Sequence, residues 1–154
     1  MGAEMPQGRS ARLDTVAKVS GYAEDACARV LAECRRRLDA KTVQVRELQD
    51  YHDDYVNQTR AMTGQTVSAQ LFGDRAQFLN QLRIAIEHEQ KAKRQIEAEL
   101  EAYVQRWQAA HSRAEALRTL CVQDAQRVDK ARDLGEQREI EDAFQARLHR
   151  SAAA

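Results

Sequence analysis

Proline occurs once in these 154 residues, at position 6, so no backbone-imposed break interrupts a helix anywhere downstream of it. Aromatic residues make up 5% of the chain, too few to furnish the large side chains of an ordinary globular core. No segment reaches the roughly 20 consecutive apolar residues that a membrane-spanning helix requires, and no apolar signal core stands near the N-terminus. Cysteine is scarce and odd in number: Cys27, Cys34 and Cys121 have no C-x-x-C spacing, which excludes a disulfide framework and reads as small hydrophobes in a reducing compartment. An excess of charge of one sign is missing as well. Lys plus Arg and Asp plus Glu each number 24, and residues 1–65 hold ten of each, so neither half has the field that draws nucleic acid or an anionic membrane.

What the chain does have is charge of both signs, at 31%, laid over a narrow apolar stripe. From Ser10, a potential N-cap, the stripe reads Leu13, Val16, Ser20, Ala23, Cys27, Val30, Cys34, then Leu38, Val45, Leu48, His52, Tyr55 and Met62, with Lys41 as a polar intruder. Steps of three and four are the mark of a coiled-coil seam, and they predict one helix over about 10–62, roughly 75 Å long. Thr63-Gly64 is a stop, with Gly64 suited to a left-handed C-cap. Val67, Leu71 and Phe72 form a short helical turn that Gly73 ends, and Asp74 with Gln77 reads as the capping box of a second helix over about 74–150. Its seam runs Phe78, Leu82, Ala85, Glu89, Ala92, Ile96, Leu100, Tyr103, Trp107, Ala110, Ala114, Leu117 and Cys121, passes a polar Asp124, and continues through Val128 and Ala131 to Gly135, where the helix is expected to weaken.

The predicted fold is therefore all-α: two long helices in an antiparallel coiled-coil hairpin, with a short helical turn at a bend over 63–73. Residues 1–9 read as a disordered arm and 151–154 as a frayed end. Each stripe slips once, by two successive steps of four, at Val30–Cys34–Leu38 and at Ala92–Ile96–Leu100. The bend sets facing residue numbers to sum to about 136, which puts Cys34 opposite 100–102, Phe78 near Gln58 and Ala85 near Tyr51.

Catalytic chemistry finds no support in this pattern. A helical hairpin offers no concave site that excludes water, and there is no phosphate-cradling glycine loop and no H-E-x-x-H. Glu87, His88 and Glu89 are adjacent on a helix, point in different directions and cannot share a metal ion. No cofactor is implied. Arg35, Arg36 and Arg37 could meet an acidic partner, although Glu33 and Asp39 flank them as on a solvated helix face.

The bend is richer. Leu48, Tyr51 and Tyr55 lie close on one helix, and Phe78, Leu82 and Ala85 share a face on the next. His52 already occupies the seam between Leu48 and Tyr55, so the ring of Tyr51 flanks it and shows to solvent. Spacing alone leaves two readings open, closure of the coiled-coil end or closure plus a partner surface.

At these residues the chain resembles the FliJ family of flagellar type III export proteins. L-x-x-Y-x-x-x-Y closing the first helix, Gly64 with V-S-A-Q-L after it, and F-L-x-x-L-x-x-A-I opening the second carry the resemblance, with E-Q-x-E-I-E-D-A at 136–143 in support. It implies a cytoplasmic, non-catalytic stalk or chaperone of flagellum biogenesis and motility. Such a stalk associates peripherally with the inner-membrane export apparatus, binds a hexameric export ATPase, promotes its assembly and links it to the cytoplasmic domain of the membrane export gate; export chaperones are further implied partners. Carried over by position, the gate-contacting surface falls on Gln44, Leu48, Tyr51, Tyr55, Phe78, Leu82 and Ala85, while Glu89 stands where a His is frequent. The ATPase-binding part would lie near both termini. A general substrate-holding chaperone and the corresponding stalk of a virulence secretion system are the other functions in view.

Overall fold

The computed structural model describes residues 6–66 and 68–154. Two helices account for nearly all of them: α1, Pro6–Ala61, and α2, Ala69–Ala152, joined by a 3-10 turn at Met62–Gly64. They pack antiparallel, and no strand occurs among the described residues. Proline is tolerated at a helix start because the N–H it lacks has no intrahelical partner there, and α1 opens on Pro6, ahead of the expected Ser10. Residues 1–5 of the predicted N-terminal arm lie outside the described residues.

The bend is tighter than the spacing predicted. Gly64 does not adopt a left-handed conformation; no described glycine has positive φ. Instead Gln65 N–H donates to the Met62 carbonyl at 3.1 Å, and Thr63 Oγ1 donates to the Arg60 carbonyl at 2.7 Å, so the last turn is satisfied without a glycine cap. Nor does Asp74 begin α2. Ser68 caps it, its Oγ accepting from Leu71 N–H at 3.3 Å, and the helix passes through Gly73 without a stop. Glycine inside a helix costs about 1 kcal/mol but does not forbid it. Gly135 is likewise helical. With α2 beginning five residues before Asp74, pairs across the seam sum to 130 for Cys34 with the Ile96 carbonyl and for Lys41 with Glu89, to 133 for Tyr55 with Phe78, and to 136 for Arg37 with Glu99. Cys34 thus meets Ile96, not 100–102.

The chain divides into two compact units, Ala26–Trp107 next to the turn, and the segment before Ala26 together with Gln108–Ala154. In the turn-proximal unit Cys27, Leu31, Cys34, Leu38, Lys41, Val45, Leu48, His52, Tyr55 and Thr59 of α1 are sheltered in an unbroken alternation of four and three, with Ala28, Thr42 and Val56 partly sheltered beside them. Leu31 is 6% exposed and Val30 46%, so the slip expected at Val30 does not occur. Keeping the phase set by Cys27 and Cys34 buries the leucine and turns the valine out. On α2 both Ala85 and Ile86, and both Ala92 and Lys93, are at least partly sheltered, so this helix presents a wider face and needs no slip either. Cys34, 1% exposed, behaves as a small hydrophobe whose thiol reaches the Ile96 carbonyl at 3.8 Å.

Lys41 and Glu89, each read from sequence as a seam irregularity, are one feature. Lys41 Nζ lies 2.6 Å from Glu89 Oε2 and 3.1 Å from Gln44 Oε1. Hydrogen bonding to Lys41 holds the Glu89 carboxyl below its usual range against the opposing effect of burial.

In the other unit Ser20 and Ala114 are buried, with Leu13, Ala17 and Glu24 half-buried on α1. Val16 and Ala23, expected on the seam, are exposed; the three-four phase that buries Ser20 selects Ala17 and Glu24 in their place. Glu24 lies 2.7 Å from His111 Nδ1 and 2.8 Å from an Arg118 nitrogen, and Arg118 also pairs with Glu115. Its carboxyl is held low, first by His111 and then, against burial, by Arg118. Ser10 Oγ donates to Asp124 at 2.5 Å, and burial followed by Asp14 pushes the Cys121 thiol up. Every residue of α2 past Asp124 is exposed.

The register has a direct test. Leu31→Ala should destabilise by about 2–4 kcal/mol and Val30→Ala by less than about 1 kcal/mol, in urea unfolding followed by far-UV circular dichroism; equal costs would put Val30 back on the seam. Depressed carboxyl pKa values stabilise the fold at neutral pH, and that contribution fades as pH falls through the folded-state values. The thermal midpoint should therefore drop between about pH 7 and about pH 3, and Glu89→Gln should start lower and drop less across the same range.

Candidate functional site

The residues singled out at the bend converge in the turn-proximal unit. The last turns of α1 carry Leu48, Tyr51 and Tyr55; the first turns of α2 carry Arg75, Phe78, Leu82 and Ala85. Steps of three and four keep each set on one side of its helix, and the tight bend brings the two sides together. Phe78 meets Tyr55, not Gln58: their ring centroids are 4.9 Å apart and tilted by 59°. Tyr51 stands edge-on to Phe78, at 6.3 Å and 87°, and 6.5 Å from Tyr55. Such edge and tilted contacts suit the ring quadrupoles and add to the area each ring buries.

Burial grades across this cluster. Leu82 is buried, Leu48, Tyr55, Phe78 and Ala85 are half-buried, and Tyr51 is 52% exposed. The ring that the seam had no room for is the one that faces water. Gln44, also exposed, is tied through Lys41 to Glu89, so the patch and the half-buried ion pair meet at its edge. Glu89 faces inward to Lys41 and lies 3.6 Å from the exposed His88.

Arg75 is the member that sequence reading missed. Its guanidinium sits 5.0 Å over the ring of Tyr55, and Nη1 donates to Thr59 Oγ1 at 3.2 Å. A cation three residues before Phe78, on the same helical face, was the available signal; the expectation that α2 began at Asp74 concealed it. Arg75 Nε is buried and makes no hydrogen bond, so the guanidinium is held chiefly by the ring and by Thr59.

The basic run is largely committed inside the chain. All three arginines are exposed; Arg36 pairs with Glu33 one turn before it, and Arg37 reaches across to Glu99 at 3.1 Å. His52 is half-buried beside Asp53, its Nδ1 3.2 Å from the carboxylate. Among the described residues no group of three His, Cys, Asp or Glu side chains could hold a metal ion, and no helix is long and apolar enough to cross a membrane. What the bend assembles is a half-exposed surface of aromatic edges with one arginine behind them, composed from both helices and therefore present only when they are paired.

A family model described as Flagellar FliJ protein matches residues 9–153. No curated protein and no solved structure matches the chain. The match takes in both helices, the bend and the aromatic cluster, and on that extent the chain belongs to the FliJ family of flagellar export components.

Proposed function

We propose that this chain is the stalk of the flagellar type III export apparatus, binding the export ATPase, promoting assembly of its hexamer and linking it to the cytoplasmic domain of the membrane export gate. The observation that carries the reading is the half-exposed aromatic cluster at the bend of a chain that belongs to this family. Gate contact is assigned to Gln44, Leu48, Tyr51, Tyr55, Phe78, Leu82 and Ala85, with Tyr51 as the anchor because its ring is both braced by Phe78 and open to a partner. Leu82, being buried, supports the patch from beneath.

The physics of a stalk fits the pattern of charge. Residues 26–61 alone supply about 54 Å of helix, a length over which a gate-binding end and a ring-binding end are separate surfaces. Balanced surface charge keeps the chain from adhering to the wall of a ring it must turn in or thread. ATP hydrolysis belongs to the partner, and Arg35 remains available as an acidic-partner contact. On this reading the protein works in the cytoplasm, peripherally at the inner-membrane export apparatus.

A substrate-holding chaperone is the second reading. It is favoured by a shallow groove of about 390 Å³ in the terminal unit, lined by Val16, Val19, Ser20, Ala23, Ala109, Ala110 and Arg113. Surface of that kind accepts an apolar helix from an export substrate or its chaperone.

Two measurements separate these readings. Added to purified monomeric export ATPase, the chain should raise the hexamer fraction and the turnover; suppression of substrate aggregation with neither effect would favour the chaperone. Tyr51→Ala with Phe78→Ala should weaken binding to the gate domain at least roughly tenfold, a loss of about 1.4 kcal/mol, while helicity is retained. Unchanged gate affinity in that double variant would remove the assignment of this surface.

A further inference from the structure

The last third of α2 leaves its own partner helix behind. Ser10 of α1 is hydrogen-bonded to Asp124, and from there to Ala152 α2 runs as an exposed helix past the described part of α1. Yet it is not polar all round. Ile140 is 70% exposed and Phe144 61%, with Leu134 and Leu148 exposed beside them. Phe144 lies sixteen residues beyond Val128, about 160° round the helix, so this stripe is on the side opposite the seam that Asp124 and Val128 continue. A second helix can reach it without displacing α1.

We infer that this stripe binds a second copy of the chain in antiparallel orientation, Ile140 of each copy against Phe144 of the other. With Gln137 and Phe144 taken as a positions and Ile140 and Arg147 as d positions of a heptad, the flanking residues select the occupant and its direction. On one flank of the antiparallel pair Glu136 meets Arg150 of the other copy, twice by symmetry. On the other flank Leu134 meets Leu148, also twice. Gln137 faces Arg147 in the layers next to the central one. The two copies meet with like charge only at the axis, where Glu141 approaches its own counterpart. A parallel pair would instead set Glu136 against Glu141 on both flanks, with no compensating opposite charge. The overlap is short and carries polar layers, so the association is weak and reversible, at the low end of specific interfaces. It does not rest on the stalk reading, since it uses neither the bend nor any export partner.

Sedimentation equilibrium of the full chain over a concentration series tests it. The mass should rise from the 17.5 kDa monomer toward twice that value. Ile140→Asp with Phe144→Asp should hold the chain at the monomer mass with its thermal midpoint unchanged, because both side chains are already exposed. Glu136→Arg and Arg150→Glu should each weaken self-association roughly tenfold, and the two together should restore it, since the pair then reforms with its signs exchanged. Glu141→Gln should tighten it. A monomer at every concentration up to about 1 mM would overturn the inference and leave the stripe to a different protein. Tighter association on Glu136→Arg alone would overturn the antiparallel orientation, and indifference to all the charge changes would overturn the interface.

Discussion

The seam between α1 and α2 is the constraint on which everything else in this protein depends. Neither helix has a core of its own, and helices with so mixed a surface are marginal in water until one face is covered. The cover is narrow: in the turn-proximal unit a stripe of positions on α1, three and four apart and flanked by Ala28, Thr42 and Val56, meets a slightly wider face of α2. Cys34 and Ile96 are closest to the ideal of a dry layer, and Lys41 with Glu89 is the opposite, a pair of charges taken partly out of water and made tolerable by their contact. A slip of one residue along either helix would expose Leu31 and separate that pair, so the apolar and ionic layers select the same register.

The aromatic cluster at the bend follows from that register. Tyr51, Tyr55 and Phe78 come together because the bend is short, with α2 capped by Ser68 and running straight through Gly73. A longer bend would have moved Phe78 a turn along and left Tyr55 without its neighbour. Arg75, laid over Tyr55 and bonded to Thr59, stiffens the arrangement from the turn side. Rings braced on three sides lose little freedom when a partner covers the fourth, which is the property expected of an interaction anchor. The residues of this cluster lie within the stretch that the family match covers.

Charge has a different task in each unit. Near the bend it marks the edge of the aromatic patch, through Gln44, Lys41 and Glu89. In the terminal unit Glu24 gathers His111 and Arg118 from α2, and Asp124 takes the hydroxyl of Ser10, so polar contacts stand where large apolar side chains are scarce. Past Asp124 the helix keeps apolar residues exposed on the face turned away from the seam.

By itself the sequence determined the class and the economy of this fold. One proline, few aromatics and a three-four stripe leave little besides two long helices, and the competition of His52 with Tyr51 for one seam position already said which ring would face water. Tertiary structure decided the phase and the length of the turn. Val30 and Leu31 are both apolar neighbours, and only contact with the opposite helix chooses between them, burying Leu31. Gly64, Gly73 and Asp74 all carry local signals for ends and starts worth about a kilocalorie each, small enough for the packing of paired helices to override. Ser68 became the cap, α2 gained Ala69 to Gly73, and Phe78 came to face Tyr55. The reach of Arg75 to Tyr55 and Thr59 was likewise a product of that earlier start, a contact between two helices that no one-dimensional pattern contains.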